Sequence, residues 1–158
     1  MNKPFNIDKT KTTLVVIDLQ KGITFRETQP YSAKTVIENA VSLTEAFRKN
    51  KMPVFLVRVA MSPDSKDRLN PTTDVGWSGG GAKMPSDWSD IVPKLSPELA
   101  DLIITKKQWG AFYGTELDLQ LRRRNIENIV LCGISTNIGV ESTARFAYEY
   151  GYNQIFCV

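Results

Sequence analysis

Short apolar runs alternate with amphipathic stretches along the whole chain. Residues 13–17, 54–57, 102–105 and 129–132 are continuous apolar runs, and a fifth begins near Gln154. Runs of this length and composition predict strands covered on both faces. Residues 33–49 carry Val36, Ile37, Ala40, Leu43, Ala46 and Phe47 at helical spacing, and Pro53 stands just before the second strand. Thr115-Glu116-Leu117-Asp118 predicts a capping-box start for a helix to about Arg124. A further helix, from about Asn137 to Tyr150, is stopped by Gly151. Strands alternating with helices predict an α/β fold: a Rossmann-like three-layer α/β/α sandwich around a central, mostly parallel sheet. No repeat or second domain interrupts the pattern, so residues 1–158 are expected to form a single domain.

One region breaks the rhythm. Residues 62–89 contain Pro63, Pro71, Gly76, Gly79-Gly80-Gly81 and Pro85 without a sustained period. A flexible loop is expected there. The three glycines do not have the spacing of a phosphate cradle, since no lysine-serine pair follows them.

The pattern also places chemistry. In open parallel sheets, ligands bind beyond the carboxyl ends of the strands, where the strand order reverses. Asp18, Lys106 and the turn 135–139 each lie immediately after a different apolar run, so all three belong at that edge. Taken singly, Asp18 could cap a turn and Lys106 could be one solvated member of a Lys106-Lys107 pair.

Composition narrows the classes. The balance of 20 basic to 17 acidic residues gives a net charge of +3, too weak to point to nucleic acid. The one basic cluster, Arg122-Arg123-Arg124, falls where a helix should end and complements its dipole. Cys132 and Cys157 lie in apolar runs, as buried, reduced thiols of a cytoplasmic protein do. Histidine is absent, which removes Ser-His and Cys-His catalysis and histidine metal sites. No metal or cofactor is expected. No apolar run reaches the ~20 residues of a membrane span, and the start is unlike a signal peptide. The chain stops at Ile155-Phe156-Cys157-Val158, inside a strand-like run, so a further C-terminal segment is expected.

The segments Leu14-Val15-Val16-Ile17-Asp18-Leu19-Gln20, Lys106 with Trp109-Gly110-Ala111-Phe112, and Gly133-Ile134-Ser135-Thr136-Asn137 through Gly139 resemble the isochorismatase-like, or cysteine hydrolase, superfamily. The resemblance spans nearly the whole chain. It maps the family's catalytic aspartate and lysine to Asp18 and Lys106, and its nucleophilic cysteine to Gly139. It also implies a non-proline cis peptide at Ile134-Ser135. A glycine cannot form the covalent intermediate of the thiol members, and Cys132 lies seven residues earlier, within a strand.

True isochorismatases also carry glycine at this place, after an isoleucine, as Ile138-Gly139 does here. Their reaction needs no nucleophilic side chain. A carboxylic acid protonates the methylene of an enol-pyruvyl ether, an oxocarbenium ion forms, and water adds before pyruvate departs. The resemblance therefore implies Asp18 as general acid with a raised pKa, Lys106 stabilising negative charge, and Gly139 making room. True isochorismatases carry an aromatic and a histidine where this chain has Ser135, Thr136 and Asn137. The pocket is accordingly expected to differ. Gln20 and Arg58 are candidate substrate contacts beside Asp18 and the second strand, and Trp109, Ile134, Ser135 and Asn137 join them from the motif segments.

The leading expectation is a small-molecule hydrolase acting by non-covalent acid catalysis on an enol ether or related bond. A silent binding or regulatory domain on the same scaffold is the alternative, with a nicotinamidase-type amidase third. The partners expected are a small-molecule substrate and a second copy of the chain. Neither nucleic acid nor membrane is expected. The homo-oligomer follows from family habit and from the tryptophans Trp77, Trp88 and Trp109.

Overall fold

A computed structural model describes residues 7–72, 74, 84–99 and 102–157. Trp77, Gly76 and Gly79-Gly80-Gly81 lie outside the described residues. Five parallel strands form one sheet: β1 (Thr12–Ile17), β2 (Val54–Val59), β3 (Leu102–Lys106), β4 (Asn128–Gly133) and β5 (Asn153–Phe156). Their order is β3-β2-β1-β4-β5. The helices are α1 (Lys21–Thr24), α2 (Ala33–Lys49), α3 (Leu117–Arg123) and α4 (Glu141–Glu149). The expected α/β sandwich with a parallel sheet is the fold observed.

Alternation along the strands builds two cores. Leu14, Val16, Val54, Leu56, Val130 and Cys132 point to one face and meet Ala40 and Phe47 of α2. Val15, Ile17, Phe55, Val57, Ile104, Ile129 and Leu131 point to the other and meet Leu117, Leu121 and Ala147 of α3 and α4. A side-chain period of two sends neighbouring apolar residues to opposite faces, so a continuous apolar run feeds both layers.

Details depart from the expectations in three places. Thr115 does not close a capping box: its hydroxyl accepts from the Leu117 N–H at 3.1 Å, and Glu116 at the N-cap makes no side-chain cap. The helix expected from Asn137 is divided, with a π-helical turn at Thr136–Val140 preceding α4. The four-residue α1 and a single-turn 3-10 helix at Pro93–Leu95 were not foreseen, being too short to show a period. Both cysteines are free, Cys132 buried and Cys157 partly so. No helix among the described residues is long and apolar enough to cross a membrane.

The strand order reverses between β1 and β4. The chain steps from β1 through β2 to β3 on one side, then returns to β4 and β5 on the other. The crevice at that reversal lies beyond Ile17 and Gly133, which are register partners.

Candidate active site

Gly133 is what lets the two strand ends close up. Its φ is +131°, and a Cβ built there would stand 2.1 Å from the Ile17 carbonyl oxygen. Only glycine fits such an approach and such an angle. The next N–H, that of Ile134, donates to the same carbonyl at 3.0 Å. The Ile134-Ser135 peptide is cis, as the resemblance implied. The π-helical turn then carries Gly139 back over the end of β1.

Asp18 ends β1 in the left-handed region, with φ of 54°. For a residue with a Cβ this costs on the order of 1 kcal/mol, which the surroundings must offset. Two backbone bonds do so: the Asp18 N–H donates to the Val57 carbonyl at 3.0 Å, and its carbonyl accepts from the Gln20 N–H at 2.8 Å.

Lys106 comes from β3, two strands away. Neighbouring strands are ~4.8 Å apart, so a side chain reaching from β3 towards β1 must cross ~10 Å. A lysine is long enough to close most of that gap. Its ammonium donates to Asp18 Oδ2 at 2.8 Å, to the Gln108 carbonyl at 3.2 Å and to the Trp109 carbonyl at 2.6 Å. Three donors meet three acceptors, so the buried cation is fully satisfied. Both side chains are deeply buried, with 1% of Lys106 and 7% of Asp18 exposed.

The electrostatics of the pair are one-sided. Burial pushes the Asp18 carboxyl up to about 6, and the nearby Lys106 charge and hydrogen bond only partly oppose it. Asp18 Oδ1 is buried without a hydrogen-bond partner among the described residues. One oxygen of the acid is thus engaged by the lysine, while the other is buried with unused capacity.

Gly139 packs directly on this pair. A Cβ built there would lie 2.8 Å from Asp18 Oδ2, 3.0 Å from Ile17 Cγ2 and 3.4 Å from Lys106 Nζ. Its φ is not positive, so the backbone angle would admit a side chain while the space does not. The amides on either side of it are occupied, since the Ile138 and Val140 N–H groups both donate to the Ser135 carbonyl at 3.2 Å.

The turn that holds Lys106 has no regular secondary structure, yet its polar groups are wired together. The Gln108 side-chain amide donates to the carbonyls of Gly110 and Tyr113. The Thr115 hydroxyl donates to the Ala111 carbonyl at 2.6 Å. Trp109 contributes its carbonyl to the lysine while its side chain is half exposed.

The remaining candidates fall elsewhere. Gln20 is fully buried and spent: its Oε1 accepts from the Val59 N–H at 2.7 Å, and its Nε2 donates to the carbonyls of Val59 and Trp88. It clamps residues 84–92 onto β2 and presents no open group to a substrate. Arg58 donates from Nε to Thr105 Oγ1 at 3.2 Å and lines a cleft of about 430 Å³ with Lys21, Asp90, Ile91, Glu98 and Ile103. That cleft includes none of Asp18, Lys106 and Gly139. Ile134 is buried, Ser135 half-buried and Asn137 exposed beside the π-helical turn.

Three groups escaped sequence reasoning. The Gln108 and Trp109 carbonyls complete the lysine's coordination, and backbone acceptors leave no trace in residue identity. Thr143, whose hydroxyl donates to the Gly139 carbonyl and accepts from the Ala111 N–H, was missed too, although a threonine one turn after Gly139 was a visible signal. No cluster of three or more Cys, Asp or Glu able to hold a metal occurs among the described residues. The Cys132 thiol, buried in the sheet, is pushed up to about 12, so it carries no thiolate near neutral pH.

Comparison with known proteins identifies the family and the fold. Residues 12–157 match the isochorismatase domain. The isochorismatase family protein YwoC of Bacillus subtilis is 51% identical over 156 residues, covering 99% of this chain and 80% of the relative. The solved structure of an isochorismatase family protein from Burkholderia thailandensis superposes with a TM-score of 0.87 at 46% identity, covering 93% of this chain and 76% of the other. N-carbamoylsarcosine amidase from Thermoplasma acidophilum superposes with a TM-score of 0.73 at 27% identity, covering 92% and 80%. The chain belongs to the isochorismatase family of hydrolases.

Proposed function

We propose that this isochorismatase-family hydrolase cleaves a small molecule by non-covalent acid catalysis, with Asp18 as proton donor. The observation that carries the reading is the buried carboxyl whose pKa rises to about 6 and whose Oδ1 lacks a partner among the described residues. A general acid works best with a pKa near the working pH, where it is still partly protonated yet gives up its proton readily. Delivered to the methylene carbon of an enol ether, that proton would leave an oxocarbenium ion. Water would then add, and the hemiketal would collapse to release the alcohol and a ketone.

Lys106 would act on the acid. Its ammonium already holds three acceptors, so its charge stabilises the Asp18 carboxylate left after proton transfer. Gly139 would occupy the place of the family's cysteine. Its contact of 2.8 Å between a hypothetical Cβ and Asp18 Oδ2 favours a site with no side-chain nucleophile. With Cys132 held protonated inside the sheet, the thiol route of an amidase lacks its attacking group.

Turnover of isochorismate, nicotinamide and simple amides, followed by chromatography, tests this reading. Cleavage of an enol ether is expected. Asp18→Asn should lower that rate by ~10²–10⁴-fold while circular dichroism stays native, because the amide keeps the shape and loses the proton. An asparagine variant with full activity would show that Asp18 is not the acid. Amide hydrolysis with no ether cleavage would refute the mechanism, and binding without any turnover would leave a silent domain.

A further inference from the structure

We propose that Thr143 is a positioning residue whose hydroxyl fixes the turn caging the Lys106 ammonium against the Gly139 backbone. This rests on the reading of Asp18, Lys106 and Gly139 as the reacting set. Thr143 sits on α4 and is 1% exposed. Its Oγ1 donates to the Gly139 carbonyl at 2.7 Å and accepts from the Ala111 N–H at 3.1 Å. The first bond is ordinary for a threonine on a helix, which often back-bonds to the carbonyl four residues earlier. The second is not local. It joins α4 to a residue 32 positions upstream, in the turn that supplies both carbonyls to Lys106.

Packing makes that bond the turn's docking point. Ala111 is fully buried and lies outside regular structure, so no strand or helix ladder provides its N–H with an acceptor. Gly110 lies flat on the same helix: a Cβ there would come within 3.1 Å of the Phe146 ring and 3.6 Å of the Ser142 carbonyl. One hydroxyl therefore touches both halves of the site. Replacing it with a methyl group of the same shape leaves the Ala111 N–H buried and unpaired. The turn can relieve that penalty only by leaving α4, carrying the Trp109 carbonyl away from Lys106. The ammonium then sits less firmly on Asp18, the one charged side chain it contacts among the described residues.

The test uses the carboxyl signal of Asp18 in protein labelled with ¹³C-aspartate, titrated by NMR, and needs no substrate. Thr143→Val should move the Asp18 midpoint upward by about one pH unit, because the cation that favours the carboxylate has loosened. Thr143→Ser keeps the hydroxyl and should titrate as the wild type does. The Ala111 amide should be strongly protected from hydrogen exchange in the wild type. A valine variant with an unchanged midpoint, however destabilised, would reduce Thr143 to a packing role and overturn the proposal. Rapid Ala111 exchange in the wild type would overturn it as well, whether or not the valine variant folds. A shifted midpoint in a protein that turns over no substrate would support the positioning role while sinking the catalytic reading.

Discussion

Two adjacent lysines, Lys106 and Lys107, each bind an aspartate, and the two aspartates respond in opposite ways. Lys106 holds Asp18 at 2.8 Å with 1% and 7% of the side chains exposed, and Lys107 holds Asp67 at 2.7 Å with 39% and 29% exposed. Asp18 is driven up to about 6 by burial. Asp67 is held well below the usual carboxylate range by hydrogen bonds from Lys107 and from the Ser62 hydroxyl and N–H. The ion pair is nearly the same; the solvent and the second oxygen differ. Asp67 Oδ1 and Oδ2 both accept from Ser62, whereas Asp18 Oδ1 has no partner among the described residues. A salt bridge alone therefore does not decide how tightly an acid holds its proton. Desolvation and unused acceptors do.

The sharpest way to break the comparison is to remove each cation in turn. Lys106→Met should cost ~3–5 kcal/mol at neutral pH, since it strands a carboxylate in the core. Lys107→Met should leave the urea midpoint almost unchanged. Equal losses in the two variants would mean that burial is not what separates the pairs.

The pH dependence of stability distinguishes the acids next. The folded Asp18 value, about 6, lies above its ordinary 3.8. Its stabilising contribution is thus fully present below 3.8 and lost as pH rises through about 6. That interval corresponds to about 3 kcal/mol. Asp67 runs the other way: its contribution is present above its ordinary value and lost in stronger acid. Urea unfolding from strong acid to pH 7 should show the Asp18 loss between about 4 and 6 and a separate Asp67 loss in stronger acid, and a stability that rises steadily from pH 4 to 7 would contradict the Asp18 assignment.

Gly139→Ala should cost ~1–3 kcal/mol, because the new methyl meets Asp18 Oδ2 at 2.8 Å and Ile17 Cγ2 at 3.0 Å. It should also raise the Asp18 midpoint by pushing the oxygen off Lys106. Alanine tolerated without loss would show that the pair has slack. The smallest effect is expected for Asp67→Asn, which should lower the thermal midpoint at neutral pH only slightly and remove the loss of stability in strong acid.

Much of this was legible in the residues. The strands announced themselves as apolar runs, and Asp18 just past β1, Lys106 at the end of β3 and Gly139 in the turn after β4 converge as topology requires. What stayed hidden is backbone geometry. Asp18 in the left-handed region, the Gln108 and Trp109 carbonyls around Lys106, and the division of the last helix after Val140 all depend on contacts between distant segments. Gln20 illustrates the converse. Its position two residues after Asp18 suggested a substrate contact, yet its amide bonds like a short stretch of strand to Val59. Side-chain chemistry alone could not distinguish a ligand from a clamp.

The Asp18–Lys106 contact bridges β1 and β3, with β2 lying between them, and joins residues 88 positions apart. Closing so long a loop is expected to follow the pairing of β2 with both neighbours, which would make this a late contact on the folding route. Contacts made late are absent from the transition state, and weakening them speeds unfolding while leaving the folding rate nearly untouched. On that order of events, substitutions in this pocket would leave the path to the native sheet unslowed, and their cost would fall on the lifetime of the folded molecule.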